Sequence, residues 1–448
     1  MSQTKIEFLG GLDTIGGNII SLQKNDYQVI MDFGAFVGAD IKQLLDRSLT
    51  EKFLEKSLLP KVEGLYSQSQ LNSNSLTSFE ASSLNTAICL SHLHLDHLGS
   101  LGQISKQVPV YTSEKALNFY KNLVENSFLP KYDVNWQGVP YPTIIQHGPF
   151  KITFKESDHD TEGASAIFIE TNDLKVVHSG DLRLSGYNPQ RVLKWVEEAH
   201  SFEPDLLLIE GTSFSNFGDD PAPLLTIEEK IHNLSCSNER QLLKTIDQLM
   251  SEKLKDIITI NLYPQNIQRL LEINEIAKNN QRKFVLDKAY YQLLENFFSK
   301  RIDNIFYLSE ETEKTSFSVS AEELKNSPND YILLIDYERH QVLYQLPAGV
   351  YLHSNGVPLG SFMAGYEEFL TNMVEYGWDF YQAGVSGHAS QSDLLMIAYA
   401  IQPKVVIPWH TFKPKAFGQE LETKGLNVFY PQYGQIYTMD KILEGNNA

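Results

Sequence analysis

The chain has 448 residues, of which 42% are hydrophobic and 11% aromatic, and its formal net charge is −19. This size and composition are typical of a folded protein with two domains, or with one large domain that carries an insertion. The excess of 56 acidic over 37 basic residues excludes broad, non-specific coating of nucleic acid. It does not exclude a nucleic-acid enzyme whose positive charge is confined to a metal-binding cleft.

Cysteine use and the N-terminal sequence predict a cytoplasmic protein. Cys89 and Cys236 are the only cysteines and lie far apart in sequence, which fits a reducing compartment. The first residues run directly into a strand-like segment without a signal-peptide pattern. No apolar run approaches the length of a membrane span, so we expect no membrane association.

The first half of the chain alternates strand-like runs with turns. Helices are predicted at 113–126 and at 190–199, the second directly after Pro189. Segment 67–85 is rich in Ser, Asn and Gln, and we expect a mobile loop or an inserted hairpin with little to bury. The predicted strands are 5–11, 18–23, 27–33, 87–91, 108–112, 150–156, 165–170, 175–178 and 206–209.

The pattern changes near residue 213, and the run DDPAP at 219–223 marks a boundary. Beyond it, helical and strand-like segments alternate, which predicts a small parallel α/β unit. Short strands return from about Tyr351. The predicted helices are 224–233, 238–254, 264–279 and 288–299, and the predicted strands are 257–262, 283–286, 331–335, 405–409 and 428–430. We therefore predict a β-rich domain of residues 1–212 and 351–448, interrupted by an inserted domain of residues 213–350.

The most informative stretch is SHLHLDHLG, from Ser91 to Gly99. It places three imidazoles and a carboxylate within six positions, a donor set that suits zinc or a similar transition metal. His92 and His94 alternate along an extended segment, so both rings can reach one ion on the same side. Asp96 and His97 follow after the chain turns and can hold a second ion. The stretch predicts a two-metal site rather than a loop that is rich in histidine by chance.

Three later segments, each at the end of a predicted strand, supply the remaining ligands. Asp181 is predicted to bridge the two ions, as a carboxylate can at a spacing of about 3.5–4 Å. Asp32 is predicted to hold a ligand imidazole by a hydrogen bond. Zinc is the expected metal and manganese the alternative, because histidine and carboxylate accept both. One ion is assigned to His92, His94 and His159, and the other to Asp96, His97 and His410.

Residues beside these ligands have two open interpretations. Asp158 and Asp160 flank His159 and either support the ligands or belong to a solvated turn. His178 is expected to be structural. Trp409 either stacks on a base or packs against the sheet, and packing is the simpler expectation.

The pattern His92-x-His94-x-Asp96-His97, with the other ligands and Asp32, resembles the metallo-β-lactamase fold. Further motifs resemble the β-CASP branch of nucleic-acid processing enzymes, and two segments resemble the inserted domain of ribonuclease-J-like proteins. The resemblance spans about residues 5–430. The branch motifs are Leu207–Thr212 with Glu210, Ser386–Ala389 with His388 and Pro408–Phe412 with His410, and the inserted segments are Pro264–Arg269 and Arg282–Asp287.

This resemblance implies an αββα sandwich of two sheets with an inserted α/β β-CASP domain as a lid, and a substrate strand in the cleft between them. It implies hydrolysis of single-stranded RNA by a hydroxide that two metals activate, with Asp96 among the catalytic residues. His388 would protonate the leaving oxygen or contact the scissile phosphate, and Glu210 would orient the site. The residues implied to bind substrate are Ser386, Gly387, Asn266 and Arg269.

Two departures from the family pattern bear on function. Ribonuclease-J-like exonucleases usually carry a phosphate-binding histidine two residues before Ser-Gly-His, where this chain has Gly384. We therefore expect cleavage to depend little on a 5′ monophosphate, and exonuclease or endonuclease action stays open. The C-terminal oligomerisation domain of ribonuclease J is expected to be absent, since the sequence stops at Ala448, and the oligomeric state is left open.

Other functions stay open at this point. An enzyme of the same fold could hydrolyse a small ester or thioester, although such a substrate needs no second domain with the Asn266 and Arg269 motif. An RNA-binding or scaffold protein with a degenerate site is a different class, which the complete ligand set disfavours. A DNA-directed nuclease also stays open, because 2′-hydroxyl contacts depend on groove detail.

Overall fold

The computed structural model describes residues 2–72, 76–219, 226–254, 256–309, 315–356 and 365–445. Within these ranges the chain forms three β-sheets with helices packed on their faces. None of the helices in these ranges is both long and apolar enough to cross a membrane. The α-helices are Thr50–Glu55, Leu95–Leu98, Glu114–Glu125, Pro189–Phe202, Glu239–Glu252, Ile267–Asn279, Lys288–Phe298, Ala321–Asn326, Tyr366–Glu375, Gln391–Ile401, Pro414–Thr423 and Met439–Gly445.

The first sheet has seven strands and is built mainly from the N-terminal segments. Two of its central strands, Tyr27–Met31 and Asn85–Cys89, pair in parallel with Met31 opposite Cys89. Their carboxyl ends therefore leave the sheet side by side, which brings Asp32 next to the histidine-rich stretch. In sheet order the strands are Ile436–Tyr437, Lys5–Phe8, Ile20–Lys24, Tyr27–Met31, Asn85–Cys89, Pro109–Ser113 and Asn135–Val139.

The second sheet has six strands and joins the middle of the sequence to its last hundred residues. Val405–Trp409 pairs in parallel with Leu206–Glu210, with Trp409 opposite Glu210. Glu210 and the residue after Trp409, His410, therefore lie at neighbouring strand ends. In sheet order the strands are Val405–Trp409, Leu206–Glu210, Lys175–His178, Ser165–Glu170, Phe150–Glu156 and Ile144–His147.

The two sheets pack face to face through the alternating apolar residues of their strands. In Phe150–Glu156 the side chains of Phe150, Ile152 and Phe154 are buried, whereas Lys151 is exposed. They meet apolar residues of the first sheet in a shared core. Helices cover both outer faces: Glu114–Glu125 on the first sheet, and Pro189–Phe202, Gln391–Ile401 and Pro414–Thr423 on the second. The predicted αββα sandwich is confirmed.

The inserted unit is an α/β layer around the third sheet, whose neighbouring strands pair in parallel. It rests on helix Glu114–Glu125 and the segment that follows. Phe119 meets Phe297 edge-on with ring centroids 5.2 Å apart, and Phe128 meets Tyr290 at 4.8 Å. In sheet order the strands are His232–Asn233, Asp379–Gln382, Val350–His353, Ile258–Asn261, Tyr331–Leu334, Lys283–Leu286, Ile305–Ser309 and Ser318–Ser320.

The sequence predicts that the chain returns to the first domain at residue 351, but the next two strands belong to the third sheet of the inserted unit. Val350–His353 is buried along its whole length and pairs with Ile258–Asn261 in the third sheet. Asp379–Gln382 lies beside it in the same sheet. A short apolar run has the same composition in either domain, so the sequence pattern alone could not assign this strand.

Two local expectations also need correction. The described part of the predicted helix 224–233 is a 3-10 helix, Thr226–Lys230, followed by the short strand His232–Asn233, and residues 224–225 lie outside the described ranges. The predicted strand 428–430 is a single bridge between Val406 and Val428.

Segment 67–85 has more to bury than expected. The buried amide of Gln70 donates to Thr50 Oγ1 at 2.8 Å, and Leu71 is buried in the core around the first sheet. Residues 73–75 of this segment lie outside the described ranges.

Candidate active site

The seven predicted metal ligands converge at one edge of the sandwich. Each lies in a loop or short helix directly after a strand, so the strand ends fix their positions. His92 and His94 follow Asn85–Cys89, Asp96 and His97 belong to helix Leu95–Leu98, His159 follows Phe150–Glu156, Asp181 follows Lys175–His178, and His410 follows Val405–Trp409.

His92, His94, His159 and Asp181 form one potential metal-binding group, in which one donor atom from each lies within 4.8 Å of the others. His159 Nε2 lies 3.0 Å from His94 Nδ1, and His92 Nε2 lies 3.6 Å from Asp181 Oδ2. Three imidazole nitrogens and one carboxylate oxygen at this spacing suit a tetrahedral zinc ion.

Asp96, His97, His410 and Asp181 form a second such group. Asp96 Oδ2 lies 2.9 Å from His410 Nε2 and 3.4 Å from His97 Nε2. Asp181 belongs to both groups, and its Oδ2 lies 3.3 Å from His97 Nε2 and 3.8 Å from His410 Nε2. Asp181 thus lies in the central position that the sequence analysis assigned to a bridging carboxylate.

Two buried polar atoms without hydrogen-bond partners indicate that these side chains can bind metal ions. His92 Nε2 and Asp181 Oδ1 are buried and have no hydrogen-bond partner among the described residues. Buried polar atoms are normally paired, so unpaired ones in a pocket of metal-binding side chains are best explained as ligands. The residues present therefore fit divalent cations.

Hydrogen bonds on the far side of the rings orient the ligands. His92 Nδ1 contacts Ser91 Oγ at 3.0 Å, and His410 Nδ1 contacts Thr212 Oγ1 at 2.7 Å. His159 Nδ1 donates to the main-chain oxygen of Gly387 at 2.5 Å. These bonds leave Nε2 of each ring directed at the pocket, which is how ligand histidines are usually held.

Asp32 is fully buried, has a φ of +58°, and anchors the same array. It accepts hydrogen bonds from Ser91 N at 2.7 Å and from Ser91 Oγ at 2.9 Å. It also contacts His97 Nδ1 at 2.9 Å and His178 Nε2 at 3.1 Å. Burial opposes ionisation, but His97 and His178 outweigh it and lower the pKa of Asp32 to about 2. His178 therefore contacts Asp32 rather than the metal pocket.

The pKa shifts put several ligands in their metal-binding forms. Burial, with the neighbouring histidines, lowers the pKa of His92 well below its usual value, and burial lowers that of His159 to about 3. Burial opposes ionisation of Asp96, but the imidazoles of His97 and His410 outweigh it and lower its pKa. Neutral imidazoles and ionised carboxylates bind metal without first losing a proton.

His388 lies beside the second group and pairs with Glu210. Its Nδ1 is 3.4 Å from Glu210 Oε1 and 3.8 Å from Asp181 Oδ2. Glu210 is fully buried, and its Oε2 accepts the main-chain N–H of Thr212 at 2.8 Å. Burial works against a charged imidazole, but the carboxylates of Glu210 and Asp181 outweigh it and raise the pKa of His388 to about 10.

The loop that carries His388 approaches the sandwich closely because it contains a glycine. A Cβ on Gly387 would lie 2.7 Å from a carboxylate oxygen of Asp160. Ser386 Oγ accepts the main-chain N–H of His388 at 3.0 Å and so shapes the turn. Ser386 and Gly387 therefore shape the loop that borders the pocket.

The prediction that Arg269 binds substrate is not supported by its contacts. Arg269 is fully buried, with Nε and Nη2 bound to the two carboxylate oxygens of Glu239 at 2.9 and 2.6 Å. Nη1 donates to the main-chain oxygen of Ser354 and to Asn355 Oδ1. The guanidinium therefore has no donor left for RNA. Asn266, from the same predicted set, is also buried and caps helix Ile267–Asn279 by accepting the N–H of Arg269.

Four residues at the pocket were not predicted as parts of it. Asp160, which the sequence left open, lies 3.4 Å from His94 Nε2 and 3.3 Å from His159 Nε2. Asn18 Nδ2 lies 3.1 Å from His97 Nε2, and Thr212 contacts His410. Tyr263 packs beside His94 with ring centroids 6.3 Å apart. The only available signal was position: Asn18 begins a predicted strand, and Tyr263 directly follows one. Trp409 is buried against His97 and His178, which favours packing over base stacking.

Comparison with known proteins places two parts of the chain in described families. Residues 86–207 match the metallo-beta-lactamase superfamily, and residues 380–431 match the Zn-dependent metallo-hydrolase RNA specificity domain. The chain is 24% identical to ribonuclease J of Mycoplasma genitalium, over 99% of this chain and 75% of that protein. It is 22% identical to ribonuclease J of Pyrococcus abyssi, over 99% of both chains.

A solved structure is similar over nearly the whole chain. It is the crystal structure of a protein of unknown function from Enterococcus faecalis V583, which is 26% identical to this chain. The match covers 98% of this chain and 100% of that one, with a TM-score of 0.81.

Proposed function

We propose that this chain, which belongs to the ribonuclease-J-like β-CASP branch of the metallo-β-lactamase superfamily, is a metal-dependent ribonuclease that hydrolyses phosphodiester bonds of single-stranded RNA. One observation carries the proposal: two groups of metal-binding side chains share Asp181, and the His388–Glu210 pair lies beside them. Phosphodiester hydrolysis requires an activated nucleophile and a proton donor for the leaving oxygen. Two cation sites beside a histidine can supply both.

Two divalent cations, zinc or alternatively manganese, would be held by the two ligand groups with Asp181 between them. When bound, such ions supply a hydroxide nucleophile near neutral pH and offset the charge of the phosphate. The protein's own part is to hold the ligand side chains in fixed directions. Asp32 does so for His97, Ser91 for His92, and Thr212 for His410.

His388 is the proton donor in this proposal. Glu210 holds its Nδ1, so Nε2 is the atom left to face the leaving oxygen of the cleaved bond. Glu210 and Asp181 together favour the protonated imidazole, which is the form a general acid needs. Glu210 itself is buried and acts by orienting His388 rather than by touching the substrate.

A single strand fits this site better than a duplex. Tyr263 from the inserted unit packs beside His94, and Gly387 contacts His159. Both walls of the cleft therefore lie close to the predicted ligands. A strand that is not paired can thread between the sandwich and the inserted unit, with its backbone at the metal groups. RNA is preferred to DNA because the relatives with similarity over nearly all of this chain are ribonucleases.

The test uses purified full-length protein, elemental analysis for bound metal, and end-labelled RNA and DNA oligonucleotides of the same sequence. We expect up to two transition-metal ions per chain and cleavage of single-stranded RNA. His92→Ala and Asp96→Ala should each lose metal and cleavage together. His147→Ala, at a half-buried histidine on strand Ile144–His147 that belongs to neither ligand group, is the matched control and should keep both.

Two outcomes would redirect the assignment. Full metal occupancy with turnover of a thioester and no cleavage of nucleic acid would indicate a small ester or thioester hydrolase. Cleavage of the DNA oligonucleotide in preference to the RNA would indicate a DNA-directed nuclease.

A further inference from the structure

Tyr263 enters the cleft from the inserted unit, and its backbone is firmly held. It follows the buried strand Ile258–Asn261 and precedes Pro264. Its main-chain N–H donates to the oxygen of Asn355 at 3.1 Å, and its own oxygen accepts the N–H of Asn266 at 3.2 Å. A side chain on such a fixed turn is placed with the precision that an active site requires.

The ring of Tyr263 lies beside residues of both ligand groups. Its centroid is 6.3 Å from that of His94, in the first group, and the ring planes meet at 51°. The phenol is also close enough to the carboxylates of Asp160 and Asp96 to feel their charge. Asp96 belongs to the second group, so the phenol lies near residues of both ligand groups.

The hydroxyl of Tyr263 is not used by the protein. It makes no hydrogen bond within the described residues, and it is not among their fully buried unpaired oxygens, so it is accessible to a ligand. Two buried tyrosines pair theirs within the chain: Tyr66 donates to the oxygen of Pro60, and Tyr290 donates to the oxygen of Leu262. Because the hydroxyl of Tyr263 is not fully buried, a ligand in the pocket can supply its hydrogen-bond partner.

We propose that Tyr263 is a further catalytic residue, whose phenol donates a hydrogen bond to a non-bridging oxygen of the phosphate being cleaved. The inference rests on the proposed function. Asp96, Asp160 and Asp181 all bring negative charge to this pocket. A phenol adds a hydrogen-bond donor without adding charge, so it stabilises the oxygens on which charge accumulates without repelling the anion.

The main test compares Tyr263→Phe with wild type on two substrates, single-stranded RNA and bis(p-nitrophenyl) phosphate, which has a phosphodiester but no base. We expect kcat to fall by about 10- to 100-fold on both substrates, with KM changed less. Bound metal and melting temperature should be unchanged. Tyr399→Phe, an exposed tyrosine on helix Gln391–Ile401, is the matched control and should behave as wild type.

Two further measurements address the phosphate contact directly. Replacing one non-bridging oxygen of an RNA linkage by sulfur should slow wild type and remove most of the difference between wild type and Tyr263→Phe. Binding of inorganic phosphate, measured by calorimetry without turnover, should be weaker in Tyr263→Phe.

The outcomes are separable. Equal kcat for Tyr263→Phe and wild type on both substrates would overturn the inference. A loss confined to RNA, or one seen in Tyr263→Ala but not in Tyr263→Phe, would also overturn it and indicate base stacking instead. If wild type fails on RNA but hydrolyses bis(p-nitrophenyl) phosphate, the proposed function fails, and the comparison on that diester still decides the role of Tyr263.

Discussion

The main-chain oxygen of Gly387 accepts a hydrogen bond from Nδ1 of His159 at 2.5 Å, across 228 positions of sequence. This bond joins the loop that carries His388 to a predicted ligand of the first metal group. Because the bond fixes the ring of His159, a cation on Nε2 and an ordered loop support each other. The loop and the metal pocket therefore form one structural unit.

Removing metal should loosen this loop. When a chelator removes the metal ions, the predicted ligand side chains lose the ions that hold them in place. The ring of His159 then becomes more mobile, which weakens its hydrogen bond to the main-chain oxygen of Gly387. We expect faster amide hydrogen exchange at residues 384–390 and no change in helix Glu114–Glu125, measured by mass spectrometry. Unchanged exchange in the loop on chelation would show that the contact carries no coupling.

Replacing the proposed proton donor should affect RNA far more than an activated diester. In His388→Gln we expect kcat on RNA to fall by about 10²- to 10⁴-fold with bound metal retained. On bis(p-nitrophenyl) phosphate the loss should be small, because nitrophenolate leaves without being protonated. A large loss on both substrates would mean that His388 does not act as the general acid.

The buried charges around Glu239 should control stability. Its carboxylate pairs with Arg183 Nη1 at 2.8 Å, in the sandwich, and with Arg269 Nη2 at 2.6 Å, in the inserted unit. Glu239→Gln leaves the buried guanidinium of Arg269 without an anion and leaves Arg183 with only Asp158, 3.9 Å from its Nε, so unfolding in urea should become easier by about 3–5 kcal/mol. Lys106→Met, which removes an exposed ion pair with Asp133, is the control and should change little. A Glu239→Gln variant as stable as wild type would contradict this.

The 5′ end of the substrate should matter little. A side chain on Gly384 would come within 2.2 Å of Asn355 Oδ1, which already accepts the N–H of Val385 at 2.8 Å. A phosphate-binding histidine therefore has no room at this position unless Asn355 moves. RNA with a 5′ monophosphate and RNA with a 5′ hydroxyl should be cleaved at similar rates, and strict dependence on the monophosphate would refute this.

Local sequence patterns predicted which side chains meet in the pocket, because histidine and aspartate are dense in that stretch and follow strands with clear alternation. Strands 150–156, 165–170 and 175–178 begin and end where predicted, and the residues just beyond the first and third, His159 and Asp181, are ligands in the predicted sets. A histidine-rich stretch after an apolar run is informative without knowledge of any other part of the chain.

Features that depend on distant partners could not be predicted in this way. From the sequence, Arg269 suits phosphate binding. In the structure its guanidinium is hydrogen-bonded to the carboxylate of Glu239, thirty positions earlier. Val350–His353 is a short apolar run that suits either domain, and only its pairing with Ile258–Asn261 assigns it. Tyr263 carries no motif of its own and gains significance only from its contact with His94.

The parallel pairing of Val405–Trp409 with Leu206–Glu210 has a consequence for synthesis of the protein. His410 follows that late strand, so a nascent polypeptide exposes six of the seven ligands long before it can present the last. Under the proposed function, the growing chain therefore cannot cleave the messenger or the ribosome that produces it before His410 has been synthesised.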